Sequence, residues 1–250
     1  MIQLVRTGAL LHVRLDRPDA RNSIDIDTAR QLLAVAQACA SAEGAEVVLI
    51  DASGTLFCPG GDLRSLGSDP ALLPARMLEV TSYLHAALTL LHNLDLPIVV
   101  AVRGAAAGAG LGLACLGDIV VASESARFVF AYSAVGLSPD AGVSYQLPRL
   151  VGLRRALDIA LTNRPLSAAE ALEAGLVTAV VPDSCLEETA RRYVELLLSQ
   201  SPAALRATKR AVHRGASASF EQHLAYEATT LSKVAGTPEA AARVSAFLSK

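Results

Sequence analysis

No stretch of this 250-residue chain is apolar for long enough to cross a bilayer. The longest uncharged apolar stretch, Gly104–Gly117, has 14 residues, five of them glycine, where a spanning helix needs about 20. The opening MIQLVRTGALLHVRLDRP alternates and carries early charges, so it lacks the long apolar run of a signal peptide. Cysteine is sparse: Cys39, Cys58, Cys115 and Cys185 lie far apart and form no C-x-x-C pair. A disulfide framework would be unusual in a chain with this much apolar core, so reduced thiols in the cytoplasm fit better. An excess of one charge is missing too. The net charge is −2, with acids and bases interspersed, so the basic footprint of a nucleic-acid binder is absent. Neither a nucleic acid nor a membrane is expected as a partner.

What the chain does have is apolar mass: 52% hydrophobic against 18% charged residues. That is apolar for a soluble monomer and predicts further burial between subunits. Ile2–Arg6 and Leu10–Asp16 alternate around Thr7-Gly8, the pattern of a hairpin. Asp25 or Asp27 can cap a helix running to about Ala42, with Ile26, Ala29, Leu32, Leu33 and Ala36 on its apolar face. EVVLIDA (46–52), PIVVAVR (97–103) and DIVVA (118–122) read as buried strands, and a helix is predicted from about Pro74 to Asn93. The order strand, glycine loop, helix occurs twice, about 50 residues apart. It predicts an α/β core over residues 1–186, and 187–250 follow as a helical region with breaks near Ser201-Pro202, Gly215 and Thr237-Pro238.

The two loops carry the chemical signal. Pro59-Gly60-Gly61 and Gly108-Ala109-Gly110 each open a helix, so backbone N–H groups there are free to face a ligand. Their small side chains let a substrate approach the main chain. Two such donors aimed at one point would hold an oxyanion, and losing one from such a site costs about 3 kcal/mol of barrier. The plainer alternative is that these glycines only allow tight turns. A dinucleotide fingerprint is excluded, because Leu113 stands where G-x-G-x-x-G needs glycine. No phosphate-loop, H-E-x-x-H or G-x-S-x-G motif occurs, and no metal-ligand constellation is visible.

Five blocks then carry a resemblance: RPDARNSID, FCPGGDL, VRGAAAGAGLGLACLGDIVVA, ARFVFAYSAVGLSPDAGVSYQLPRLVG and LSAAEALEAGLV, covering roughly residues 17–180 in order. They resemble the signature blocks of the crotonase (enoyl-CoA hydratase/isomerase) family. The AAAGAG loop, the SPDAG segment and the ending RVSAFLSK are most similar to the ring-1,2-epoxyphenylacetyl-CoA isomerase branch. The resemblance implies an α/β, crotonase-like spiral of repeated ββα units with a C-terminal helical trimerisation region, assembling as a homotrimer or a dimer of trimers. It implies an acyl-CoA substrate, with coenzyme A arriving as part of it and no permanently bound cofactor. Gly61 and Ala109 are then the two oxyanion N–H donors to the thioester carbonyl. Ala20, Arg21 and Asn22 fall in the coenzyme A segment, and Pro59, Asp62, Leu63 and Gly108 lie along the substrate. Arg17 and Arg64 lie in segments that line the same site in relatives.

The departures point to the reaction. Hydratases of the family carry two glutamates that manage a water, and on alignment these positions are Gly112 and Tyr132. Glycine transfers no proton, and a phenol with an ordinary pKa of about 10 is a poor base. The remaining acid is Asp140, beside apolar Phe130, Val135 and Leu137. One carboxylate suffices to isomerise an acyl thioester, and Asp140 is the candidate, although it can equally cap the helix starting near Gly142. Tyr132 and Leu137 are candidates for the acyl pocket, with Tyr145 a weaker one. Asp62 can fix its loop or cap a helix. His85 and His92 read as packing or surface residues, and Cys58 as a buried filler.

Overall fold

The computed structural model describes residues 1–249. The alternating opening folds as the predicted hairpin: β1 (Ile2–Thr7) and β2 (Leu10–Leu15) pair antiparallel, with Gly8 at φ +60° in the turn. Helix α1 (Ile26–Ala40) starts at Asp25, not Asp27. Asp25 is extended and its carboxylate accepts the Thr28 N–H at 2.7 Å, a cap that contributes about 1 kcal/mol. Then come β3 (Val47–Ala52), the short α2 (Leu63–Leu66) and the long α3 (Leu73–His92), followed by β4 (Ile98–Val102).

The second glycine loop differs from the prediction. Ala105–Ala107 form a strand, β5, before α4 (Ala109–Ala114), β6 (Ile119–Ser123) and β7 (Arg127–Val129). Alanine is a weak strand former, so β5 is made by pairing with β7 rather than by local preference. The chain continues through α5 (Val143–Val151), α6 (Leu153–Thr162), β8 (Leu166–Ser167), α7 (Ala168–Glu173) and β9 (Ala179–Val181).

Two sheets result. The larger has the order β1-β2-β3-β4-β6-β9, parallel from β2 onward; the smaller has the order β5-β7-β8. Each spiral turn takes a strand from the large sheet, one from the small sheet, then a helix: β4-β5-α4, then β6-β7-α5. In the preceding turn the second strand shrinks to one bridge, Cys58 beside Ala106. This is the repeated ββα spiral of the crotonase fold.

β3 and β4 are buried on both faces, which explains their unbroken apolar sequence. One face meets the main core. The other is covered by α8 (Leu186–Leu198), whose Leu186, Ala190 and Val194 pack on Val47, Leu49, Val99, Ala101 and Val121. Three further helices follow: α9 (Pro202–Gly215), α10 (Phe220–Ala235) and α11 (Pro238–Leu248). They are capped by Ser201, Ser219 and Thr237, at or near the breaks read from the sequence. Lys209 fastens α9 to the core through Asp118 (2.7 Å) and the Leu96 carbonyl (2.9 Å). Phe220, Leu231 and Phe247 on the last two helices are each more than 70% exposed. Among the described residues no helix is long and apolar enough to cross a membrane.

Candidate active site

The two glycine loops are joined through their main chains. Cys58 donates to the Ala105 carbonyl (3.0 Å) and accepts from Ala107 N–H (2.9 Å), which brings the first loop alongside β5. Gly60 then packs directly on the second loop: a Cβ there would lie 2.9 Å from the Ala107 carbonyl oxygen and 3.4 Å from Ala109 N. Its φ of +99° also requires glycine. On the far side, Ile24 donates to Gly60 O and accepts from Asp62 N–H, both at 2.8 Å. That alternation turns the intervening Gly61 N–H away from Ile24. Ala109 is the first residue of α4, where an N–H has no partner within the helix. Among the described residues, neither the Gly61 nor the Ala109 N–H donates to a protein acceptor.

Both residues line one cavity of about 530 Å³. Aliphatic side chains form most of its wall: Leu63, Leu66, Met77 and Leu84 from α2 and α3, with Val135 and Leu137 opposite. Pro59, Gly60 and Gly108 complete the glycine-loop side. Asp140 is the only aspartate or glutamate among the lining residues.

Asp140 is held on one side by a hydrogen bond. The Tyr132 hydroxyl donates to its Oδ1 at 2.5 Å, and its Oδ2 lies 4.0 Å from His85 Nε2. Tyr132 is fixed in turn by Ala131 in left-handed backbone (φ +70°), whose N–H donates to Asn163 Oδ1 at 2.6 Å. The ring of Phe130 stacks edge-on behind it, with centroids 5.2 Å apart. Burial, and then the charge of Asp140, push the Tyr132 phenol well above its ordinary range. It acts as a neutral donor, not a base.

Gly112, the other position where hydratases carry glutamate, is closed. A Cβ there would fall 2.4 Å from the Ala141 carbonyl oxygen and 2.8 Å from the Ala141 Cβ. Ala141 itself is 1% exposed and sits at φ +51°. The backbone after Asp140 thus fills the space a second carboxylate would need.

Several sequence-derived roles are redistributed. Asp140 does not cap α5: Gly142 occupies that position at φ +72°, with no side-chain cap. Asp62 caps α2, accepting the Ser65 N–H at 3.2 Å, and does not line the cavity, whereas Leu63 does. Ala20, Arg21 and Asn22 also lie outside the cavity wall. The Asn22 side chain is buried and committed internally, donating to the carbonyls of Ser53 and Leu56 (both 2.9 Å) and accepting from Arg17 N–H (2.8 Å). Arg17 pairs with Asp25 at 2.6 Å and approaches Asp62 at 3.9 Å, while Arg21 and Arg64 are exposed. Tyr145 is outside the cavity, under the Arg149 guanidinium. Phe130 backs Tyr132 rather than facing the cavity. Cys58 is the buried filler expected, its thiol pushed up to about 12 by burial.

His85, read from the sequence as a packing or surface residue, is exposed and makes one contact the sequence did not signal. It stands on α3, and its Nε2 accepts the Ala141 N–H at 3.1 Å. Nothing local signals this, since the partner lies 56 residues further along the chain.

The family model for enoyl-CoA hydratase/isomerase matches residues 6–250. The "Probable enoyl-CoA hydratase" of Rhodobacter capsulatus is 36% identical over 239 residues, 95% of this chain and 91% of its own. The 1,2-epoxyphenylacetyl-CoA isomerase of Escherichia coli is 33% identical over 242 residues, 96% of this chain and 92% of its own. The crystal structure of an enoyl-CoA hydratase from Polaromonas superposes with a TM-score of 0.93 at 29% identity, covering 99% of this chain and 96% of that one.

Proposed function

This chain belongs to the enoyl-CoA hydratase/isomerase family, and from that premise we propose that it is an acyl-CoA isomerase in which Asp140 moves the proton. The substrate is an enoyl-CoA or ring-epoxide acyl-CoA thioester, and coenzyme A enters with it. The N–H groups of Gly61 and Ala109 receive the thioester oxygen, which acidifies the α proton and, through conjugation, the γ proton. Asp140 removes a proton from one carbon and returns it to another, while the enolate charge rests on the oxygen between the two donors. Each donor contributes about 3 kcal/mol where charge develops. Arg21, which is exposed, is available for the phosphates of coenzyme A.

One observation carries this reading over hydration: Asp140 is the lone carboxylate on the cavity wall, and the Ala141 backbone excludes a second one at Gly112. Hydration by a water held by Tyr132 and Asp140 is the alternative, favoured by the hydrogen bond that puts the two groups side by side on the cavity wall. Deuterium exchange at the α and γ carbons of several acyl-CoAs, followed by NMR, tests both. Isomerisation predicts exchange without 3-hydroxyacyl-CoA, and loss of about 100-fold or more in Asp140→Asn. Full turnover in that variant would refute the assignment. Accumulating 3-hydroxyacyl-CoA would favour hydration, and tight binding without exchange would identify a silent acyl-CoA binder.

We also propose that the exposed apolar side chains of α10 and α11, Phe220, Leu231 and Phe247, meet other copies in a homotrimer or a dimer of trimers.

A further inference from the structure

Asp140 and the next residue, Ala141, line two different spaces. One is the apolar cavity. The other is an outer depression of about 410 Å³ lined by His85, Leu88, His92, Leu116, Ala141 and Tyr145. His85 belongs to the outer space, with its side chain half exposed, yet its Nε2 reaches to 4.0 Å from Asp140 Oδ2. No lysine, arginine or histidine lines the inner cavity. Tyr132 holds the other carboxylate oxygen as a neutral donor. Of the two side chains placed against the Asp140 carboxylate among the described residues, Tyr132 and His85, His85 is the one that also lines the outer space.

We propose that His85 acts through Asp140 as a positioning and relay residue, exchanging the carboxylic proton with solvent during turnover; this rests on the acid/base reading of Asp140. In the resting state Nε2 accepts from Ala141 N–H, so the imidazole is neutral with its proton on Nδ1. That contact holds the left-handed Ala141 backbone, and with it the direction of the Asp140 side chain. After Asp140 takes a proton from the substrate carbon, a shift of about 1 Å that releases Nε2 from Ala141 N–H closes the gap to hydrogen-bonding distance. The proton passes from Oδ2 to Nε2, leaving a carboxylate and an imidazolium. The half-exposed imidazolium gives that Nε2 proton to water, and the reverse path brings a solvent proton to Nε2 and from there to the carboxylate, with the Nδ1 proton kept throughout. The imidazolium cannot accept from Ala141 N–H, so the charged state reverts and the resting contact reforms.

The test is isomerisation in deuterium oxide, scoring deuterium per product molecule at low conversion. His85→Gln keeps an acceptor for Ala141 N–H but cannot carry a proton. It is expected to lower the deuterium fraction severalfold relative to the native protein, whatever its effect on rate. His85→Ala loses the acceptor as well and should slow isomerisation further. A merely structural role would change rates but leave deuterium per turnover untouched. Equal deuterium in the native protein and His85→Gln overturns the relay, as does a native protein that isomerises with no solvent deuterium in its product. Exchange that survives Asp140→Asn overturns the underlying assignment instead.

Discussion

Replacing Gly112 with alanine sets two effects of opposite sign against each other. Gly112 lies inside α4, and in an unobstructed helix the change would stabilise by about 1 kcal/mol. The added Cβ, however, would stand 2.4 Å from the Ala141 carbonyl oxygen and 2.8 Å from the Ala141 Cβ. No rotamer relieves a contact between Cβ and backbone. The opposing backbone has little room to retreat either, because Ala141 is buried in left-handed geometry and its N–H is tied to His85. Overpacking of this kind costs about 1–3 kcal/mol, occasionally more, and the backbone contact puts it at the upper end. The net expectation is a loss of about 1–2 kcal/mol, a fall in Tm of about 2–8 °C for a chain of this size. Because the displaced residue follows Asp140, isomerisation should slow as well. Thermal unfolding by circular dichroism, paired with the NMR exchange assay, measures both. A Gly112→Ala protein that melts higher than the native one would refute the claim that Ala141 closes this position.

Two other substitutions probe the chemistry and the core. Ala109→Pro removes one oxyanion donor at the first helical position, where proline is tolerated; a folded protein with kcat reduced about 100- to 1,000-fold is expected, and near-native kcat would remove Ala109 from the mechanism. Cys58 and Cys115 are buried, and their thiols are pushed up to about 12. The folded state therefore holds these protons after the unfolded chain has released them, and stability is lost as pH rises. Between pH of about 9 and 11 each thiol should cost about 1.4 kcal/mol per pH unit. Urea unfolding of Cys58→Ala should show a correspondingly shallower slope than the native protein, and identical slopes would contradict the burial argument.

The parts of the fold written in short-range pattern were legible. The hairpin, Asp25 as a cap, the apolar runs of β3 and β4, and the polar starts of α9 and α11 all follow from residues within a few positions of one another. So did the glycine loops, because glycine and helix start are both local signals. What escaped was made by distant partners. β5 exists because β7 and Cys58 pair with it, and its alanines give no strand signal. The internal bonds of the Asn22 side chain, to the carbonyls of Ser53 and Leu56, also join residues more than 30 positions apart. His85 is exposed, as a packing or surface residue can be, and its hydrogen bond to Ala141 was not legible because it depends on a loop that folds back over α3. The cap alternative for Asp140 rested on Pro and Asp preceding the helix, and Gly142 takes that position in left-handed backbone.

The polar grip on the proposed thioester oxygen is built from peptide groups, and the loops bearing them are stitched together by main-chain hydrogen bonds at Cys58, Ala105 and Ala107. A conventional alanine scan is therefore blind to it, since truncating side chains leaves every N–H in place. Such a scan would report walls and acid but miss the clasp. The same arrangement leaves the aliphatic lining free to drift toward new acyl groups while the electrostatic centre stays invariant beneath it.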